Sequence, residues 1–557
     1  MSDAPRRTLF VGGHVFDGHR RRPGHAVLVQ GLRIVDTGPA DRVLERVADL
    51  DGPVERVDLR GGLIMPGFHD AHCHPLVGGL ERLRCEMSGL SRPEEYLTAI
   101  GDAARRRHGD QWVRGGGWSV DAFDQRGPTA ELLDRVVPDR PAFLPSTDHH
   151  DAWVNTRALE VAGVNRDTPD PADGWIERDE HGHPTGTLRE AAMALVHDHV
   201  TRSREEDADA LREAQRCLHG WGVTGWHDAL IGGYAGLDDP TQAYLDLLEA
   251  DQLSATVRCS QWWDRARCGD DDAIAAQVGE LVQRRDELAA RGLDAGSVKV
   301  MMDGISETFT ATLTDGYDDL HGCPCGDHGL PFLSESAARA SVSALHAAGL
   351  QCHFHAIGDA AVHTALDAVE QAQREHGLRD LRHQIAHLQL VRPSDRHRFG
   401  DLQVVANLQG MWARRETPAV TLLAPHLDAE RFGWHYPFRD VLEGRARFSG
   451  GSDWPVNPPE PLGAVHVLVN RRAWASDPAQ LTEPLVLDQT IGLEQALSAY
   501  TRGSAWADHR VDAGFVHVGA RADLVVLDRD PFTLPSSEIG ACEVASTWAG
   551  GRCVYER

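Results

Sequence analysis

LIMPGFHDAHCHP, residues 63–75, opens with apolar residues, passes a Pro-Gly step and ends in two histidines one residue apart. A β-strand alternates its side chains between two faces, so His72 and His74 share a face and can grip one metal ion together. Residues 63–72 read as the first of eight candidate strands. The others are GVTGWHDAL (222–230), SATVRCSQW (254–262), GSVKVMMDG (296–304), LQCHFHA (350–356), RHQIAHLQL (382–390), LQVVANLQ (402–409) and RARFSGGSD (445–453). Helical patterns such as DPTQAYLDLLEA, DDAIAAQVGELVQRRDELAARG and SESAARASVSALHAAG lie between them. Strands alternating with helices predict a parallel sheet, and eight such units predict an α/β protein built on a closed (β/α)8 TIM barrel.

In such a barrel the chemistry sits at the C-terminal ends of the strands. There the sequence offers His72 and His74 on the first strand, Lys299 on the fourth, His355 on the fifth, His387 on the sixth and Asp453 on the eighth. Imidazole and carboxylate are good ligands for zinc and similar divalent ions, so the joint pattern predicts a metal site. Lys299 stands out on composition as well. Of 56 Lys and Arg residues it is the one lysine. Arginine stays protonated in proteins, whereas a buried lysine can become neutral and act as a nucleophile, a base or a modified ligand.

Both ends of the chain are rich in short strands punctuated by glycine and aspartate: TLFVGGHVFDG and HAVLVQGLRIVDTGP near the start, FVHVGARADLVVLDRDP and VASTWAGGRCVYER near the end. Residues 1–62 and 509–557 are therefore expected to form one composite β-sandwich, with the barrel spanning 63–508. The interval 75–221 is too long for one loop and has strand-like runs of its own, DQWVRGGGWS and RPAFLPSTDHHDAWV, which predicts an inserted lid.

The formal net charge of −28 repels phosphate backbones and anionic lipid, which excludes nucleic acid as a partner. No apolar run is long enough for a bilayer span and no export signal opens the chain, so a cytoplasmic protein without membrane association is expected. Ten scattered cysteines fit reduced thiols, and the close pair Cys323 and Cys325 is weak evidence for metal. HAIGD and GGSD lack the Gly-Lys-Ser/Thr ending of a phosphate loop.

These motifs, with DHHDAWVNTRAL, GHPTGTLRE, AHLQLVRPSD and LEQALSAYTRGSAWA, resemble the metal-dependent amidohydrolases, and among them the branch called amidohydrolase family 3. The resemblance covers nearly the whole chain. It implies a barrel beside a composite β-sandwich, one or two divalent ions with zinc expected, and hydrolysis of a C–N bond in an amide or related compound; the inserted lid, the tryptophans and the acidic charge narrow the expected substrate to a small, neutral N-substituted amide. It implies as metal ligands His72, His74, Lys299 as a carbamate, His355, His387 and Asp453. Asp453 is the expected general base, and His387 and Lys299 are the other expected catalytic groups. A homo-oligomer, a dimer, is the expected assembly.

Substrate contacts are expected from His150 in DHHDAWVN, from Asp303 beyond the fourth strand, and from Trp118, Trp153 and Trp412 as an aromatic wall; Glu307, Trp262 and Trp263 are further candidates. His69, His149, His227 and His353 read as structural or supporting residues. Two other functions fit less well. A heterocycle deaminase usually carries a glutamate just beyond the strand-5 histidine, where this chain has AIGD. A silent regulatory relative would have little reason to keep so many buried polar groups.

Overall fold

A computed structural model describes residues 6–106, 112–123, 126–171, 174–200, 203–232, 239–415, 418–475 and 483–557. Eight parallel strands follow one another around the barrel in chain order: β1 (Phe68–Cys73), β2 (Val223–Ile231), β3 (Thr256–Trp262), β4 (Asp294–Met301), β5 (Gln351–Ala356), β6 (Gln384–His387), β7 (Val405–Leu408) and β8 (Arg447–Gly450). Most of their residues are buried on both faces, as expected where helices cover the outside and side chains fill the inside. The ring closes where the Asp453 amide donates to the His72 carbonyl at 2.7 Å. Asp70 reinforces this closure, accepting from the Ser452 amide at 2.9 Å and the Ser452 hydroxyl at 2.5 Å.

The first predicted strand is two strands. Leu63–Pro66 pairs with Leu524–Leu527 in a sheet outside the barrel, and the chain enters β1 only after Gly67. A Cβ on Gly67 would lie 2.3 Å from the Thr224 hydroxyl, so glycine is what lets the chain turn against β2. The predicted sixth strand, 382–390, is also shortened. His387 and Leu388 have φ of 79° and 52°, and the strand ends on the candidate ligand itself.

Both termini supply strands to one six-stranded sheet, in the order Arg552–Glu556, Val544–Ala549, Leu524–Leu527, Leu63–Pro66, His14–Phe16, Arg21–Pro23. A four-stranded sheet from residues 7–58 faces it across a core in which Phe10 meets Trp548 edge-on at 5.1 Å. Between β1 and β2 the chain forms a five-stranded sheet, ordered Gly174–Arg178, Pro184–Glu190, Asp151–Val154, Ala142–Pro145, Val113–Arg114. The first two residues of the strand-like run 110–119 lie outside the described residues. Helices Pro75–Leu83 and Arg204–Gly220 flank this insertion and pack on each other at backbone distance, since a Cβ on Gly79 would fall 1.9 Å from the Ala210 carbonyl oxygen. Among the described residues no helix is long and apolar enough to cross a membrane, and the ten cysteines are free.

Candidate active site

The strand register brings the predicted ligands to one mouth of the barrel. Lys299 on β4 pairs with His353 on β5, Met301 with His355, and Ala356 with His387 on β6. The His72 and His74 Nε2 atoms lie 3.3 and 3.6 Å from Asp453 Oδ1. Among the described residues, these three are the one group of His, Cys, Asp or Glu whose ligand atoms all fall within 4.8 Å of one another. Lys299 Nζ is 3.2 Å from His72 Nε2. His387 Nδ1 is 3.9 Å from Asp453 Oδ2, and the His387 ring lies 4.5 Å from that of His355 and 5.0 Å from that of His72. Asp453, like His387, has a left-handed backbone, with φ of 60°. Two adjacent strained residues aimed at one point are a cost that functional sites commonly carry.

Electrostatics favour the lone-pair form of the imidazoles and of Asp453 and move Lys299 towards it. Burial pushes His72, His74 and His387 below the usual imidazole range, and pushes His355 down to about 3, with Lys299 adding to the effect on His72, His355 and His387. Burial also lowers Lys299 to about 8, although Asp453 works against it. Asp453 lies below the usual carboxylate range. Burial pushes it up, but His74, His387 and Lys299 together outweigh that. Neutral imidazoles around an ionised carboxylate make a donor set for a divalent cation. Neither ring nitrogen of buried His387 has a hydrogen-bond partner among the described residues, as expected of a side chain that completes its coordination on an ion.

Below the mouth the barrel interior is polar. His72 Nδ1 meets His353 Nε2 at 2.7 Å, and the His353 ring stands edge-on to His227 at 4.7 Å. His227 is held by Asp508 through Nδ1 at 2.6 Å and by Ser260 through Nε2 at 2.7 Å, while the other Asp508 oxygen takes His69 at 2.6 Å. Sequence reasoning missed Asp508 because it follows the last barrel strand and carries no local motif.

Above the mouth a cavity of about 520 Å³ separates the candidate ligands from the insertion. His150 reaches into it, with Nδ1 held 2.9 Å from Glu190 Oε1. Glu190 ends the GTLRE stretch, where no local pattern marks it for a role. It has φ of 50°, and its amide donates to the His150 carbonyl at 2.7 Å. His149, expected to be structural, lines the cavity with φ of 62° and Nε2 3.4 Å from Glu81. Glu307 lines the cavity too, its carboxyl raised to about 7 by burial. Trp412 stacks on His387 at 5.0 Å and 14° and forms part of the wall.

Other predicted contacts are corrected. Trp118 and Trp153 are fully buried in the insertion's own core, their indole nitrogens donating to the Leu144 and Thr129 carbonyls at 2.7 and 2.8 Å. Neither lines the cavity, and Trp263 is likewise buried in the barrel's packing, so the expected aromatic wall reduces to Trp412 from that set, joined by Trp221 and Trp454. Asp303 is also absent from the lining. Its carboxylate accepts from the amides of Thr312, Ile357 and Gly358 at 2.8, 3.0 and 2.8 Å, tying together the loops that follow β4 and β5. Cys323 and Cys325 are exposed, and Cys325 Sγ contacts the Tyr317 carbonyl at 3.1 Å.

A family model described as an amidohydrolase family matches residues 55–555. Protein LONG AFTER FAR-RED 3 of Arabidopsis thaliana is 30% identical, over 98% of this chain and 91% of its own length. N-substituted formamide deformylase of Arthrobacter pascens is 28% identical, over 97% of this chain and 96% of its own. The crystal structure of a metal-dependent hydrolase from Pyrococcus horikoshii OT3 shares the fold, with a TM-score of 0.72 at 23% identity over 95% of this chain and 99% of that one. Since the match runs from the terminal sheets through every barrel strand that carries a candidate ligand, the chain belongs to the amidohydrolase family.

Proposed function

We propose that the protein is a metal-dependent hydrolase that cleaves an amide-type C–N bond in a small, neutral N-substituted amide. The observation that carries this reading is the convergence of His72, His74 and Asp453 beneath a cavity large enough for a small molecule. His72, His74, His355, His387 and Asp453 would hold one or two ions, zinc being the ion proposed, and Lys299 would join them as a carbamate. A bound divalent ion polarises a carbonyl and lowers the pKa of water towards about 7.

The remaining work falls to the chain's own side chains. Asp453 accepts a proton from the attacking water and returns it to the nitrogen as the C–N bond breaks, so that amide and water become acid and amine. His150, oriented by Glu190, is a hydrogen-bond donor for the substrate carbonyl or its leaving group. Trp412 and the apolar wall exclude water from the N-substituent. Similarity to the Arthrobacter pascens protein supports formamides as the first compounds to try.

The test is to measure bound metal in the purified protein and amine release from N-benzylformamide, N-benzylacetamide and cyclic ureides with zinc supplied. Stoichiometric metal with turnover of a neutral amide is expected. Protein that binds no metal, or that leaves every amide intact when loaded, would overturn the reading.

A further inference from the structure

The structure assigns to His353 a positioning role that sequence alone does not reveal: we infer that it fixes which nitrogen of His72 faces the metal site. The assignment rests on the metal-dependent reading above. His353 sits on β5 two residues before His355, so both side chains point into the barrel, His353 one layer deeper. It is fully buried, and its Nε2 lies 2.7 Å from His72 Nδ1.

Two arrangements satisfy that contact. If His353 carries its hydrogen on Nε2, it donates to His72 Nδ1, and the His72 hydrogen must sit on Nε2, where it blocks the nitrogen beside Asp453. If His353 carries its hydrogen on Nδ1, its Nε2 accepts from His72 Nδ1–H and the His72 Nε2 lone pair is free. The surroundings favour the second. Lys299 Nζ lies 3.2 Å from His72 Nε2, and before carbamylation its ammonium form can donate there only if that nitrogen is free of hydrogen. Asp453 Oδ1 lies 3.3 Å from the same nitrogen; on the metal reading a cation sits between these two lone-pair donors, so His72 Nε2 carries no hydrogen and His72 donates from Nδ1 to His353.

His353 also has no alternative hydrogen-bonding duty. Its Nδ1 has no partner among the described residues. The neighbouring His227 offers it none, because both His227 nitrogens are taken by Asp508 and Ser260. A fully buried imidazole that leaves one nitrogen unsatisfied is costly where an apolar side chain would pack. Its one hydrogen bond is the one that aims His72. Outer partners of metal-bound histidines act in this way, setting the tautomer and ring orientation.

The experiment measures zinc affinity by competition with a chelator, and the thermal midpoint of the metal-free protein, for wild type, His353→Leu and His353→Gln. Glutamine can put its amide oxygen where the His353 Nε2 lone pair lies; leucine cannot accept. Zinc affinity is expected to fall by about 10- to 100-fold in His353→Leu and to be largely restored in His353→Gln. Unchanged affinity in His353→Leu, or an equal loss in both variants with equal midpoints, would overturn the assignment. If His353→Leu does not fold, ¹⁵N-histidine spectra of the metal-free wild type decide instead, with the His72 signal identified by its loss in His72→Gln. A hydrogen on Nδ1 is expected, and one on Nε2 overturns the assignment. Wild type that takes up no zinc overturns the metal reading itself, and this inference with it.

Discussion

Lys299 Nζ and His72 Nε2 lie 3.2 Å apart although 227 residues separate them, because β4 and β1 face each other across the barrel mouth. Burial lowers this lysine to about 8, which makes roughly a tenth of it neutral at pH 7, far more than for an ordinary lysine. Lys299→Arg keeps a cation of similar length but cannot lose its proton or form a carbamate. Its activity should fall by about a hundredfold or more, with the thermal midpoint near that of wild type. If the carbamate reading holds, Lys299→Ala should recover part of its turnover when a short carboxylic acid is added. Wild-type rates from the arginine variant would remove Lys299 from the mechanism.

Asp453→Asn should separate base catalysis from metal retention. Turnover should drop by about 10²- to 10⁴-fold while most of the metal stays on the imidazoles. The double variant His72→Ala, His74→Ala should lose metal first. Metal content and single-turnover rates measured on the same preparations distinguish the two, and an unchanged pH profile in Asp453→Asn would mean that the base is another group.

Substrate charge gives a third expectation. Asp148 lines the cavity, Glu307, raised to about 7 by burial, adds a partial negative charge near neutral pH, and His150 is already paired with Glu190. A substrate carboxylate about 8 Å from one such anion meets roughly 2 kcal/mol of repulsion at an effective dielectric near 20, or about thirtyfold in kcat/KM. N-benzylformamide should therefore be preferred over N-formyl and N-acetyl amino acids in a matched panel. The reverse order would point to Arg82 or Arg414, which also line the cavity, as an anchor for carboxylates. The Arg82 guanidinium already donates to Glu213 at 2.9 Å and to Glu86 at 3.4 Å.

A fourth prediction concerns acid stability. His383 is buried between the Cys352 amide, which donates to Nδ1 at 2.9 Å, and His346 Nδ1, 3.0 Å from Nε2; His346 Nε2 in turn meets the Gly377 carbonyl at 3.0 Å. This relay has no place for an extra proton, and burial together with His346 pushes His383 down to about 3. Between that value and the unfolded value near 6.5, the unfolded chain binds a proton that the native state does not, so stability falls as pH falls, by up to about 1.4 kcal/mol per pH unit from this group. Urea midpoints from about pH 7.5 down to about pH 5 should drop less steeply in His383→Gln than in wild type. Equal slopes would show that His383 contributes nothing to acid unfolding.

Much of the barrel could be read from the sequence because its signals are local. Apolar runs between helical patterns mark strands, and the His-x-His of residues 72–74 shares a face by the two-residue repeat of any strand. The rarity of lysine singled out Lys299 without any structure. What fails locally is side-chain direction at the strand ends and beyond. Trp118 and Trp153 have the composition of a binding wall, but five strands of the insertion give them a core of their own to fill. Asp303 follows the fourth strand as a ligand would, but loop closure turns it onto three backbone amides.

The sequence by itself determined the fold class, the family resemblance and which residue types could meet at the strand ends, because those follow from periodicity and covalent neighbours. Only the tertiary structure decided what surrounds them. Asp508 reaches His69 across 439 residues and His227 across 281. His353 meets His72, and Glu190 holds His150, for the same reason. A hydrogen bond depends on distance and angle in space, and closing the barrel sets these between residues that no pattern along the chain connects.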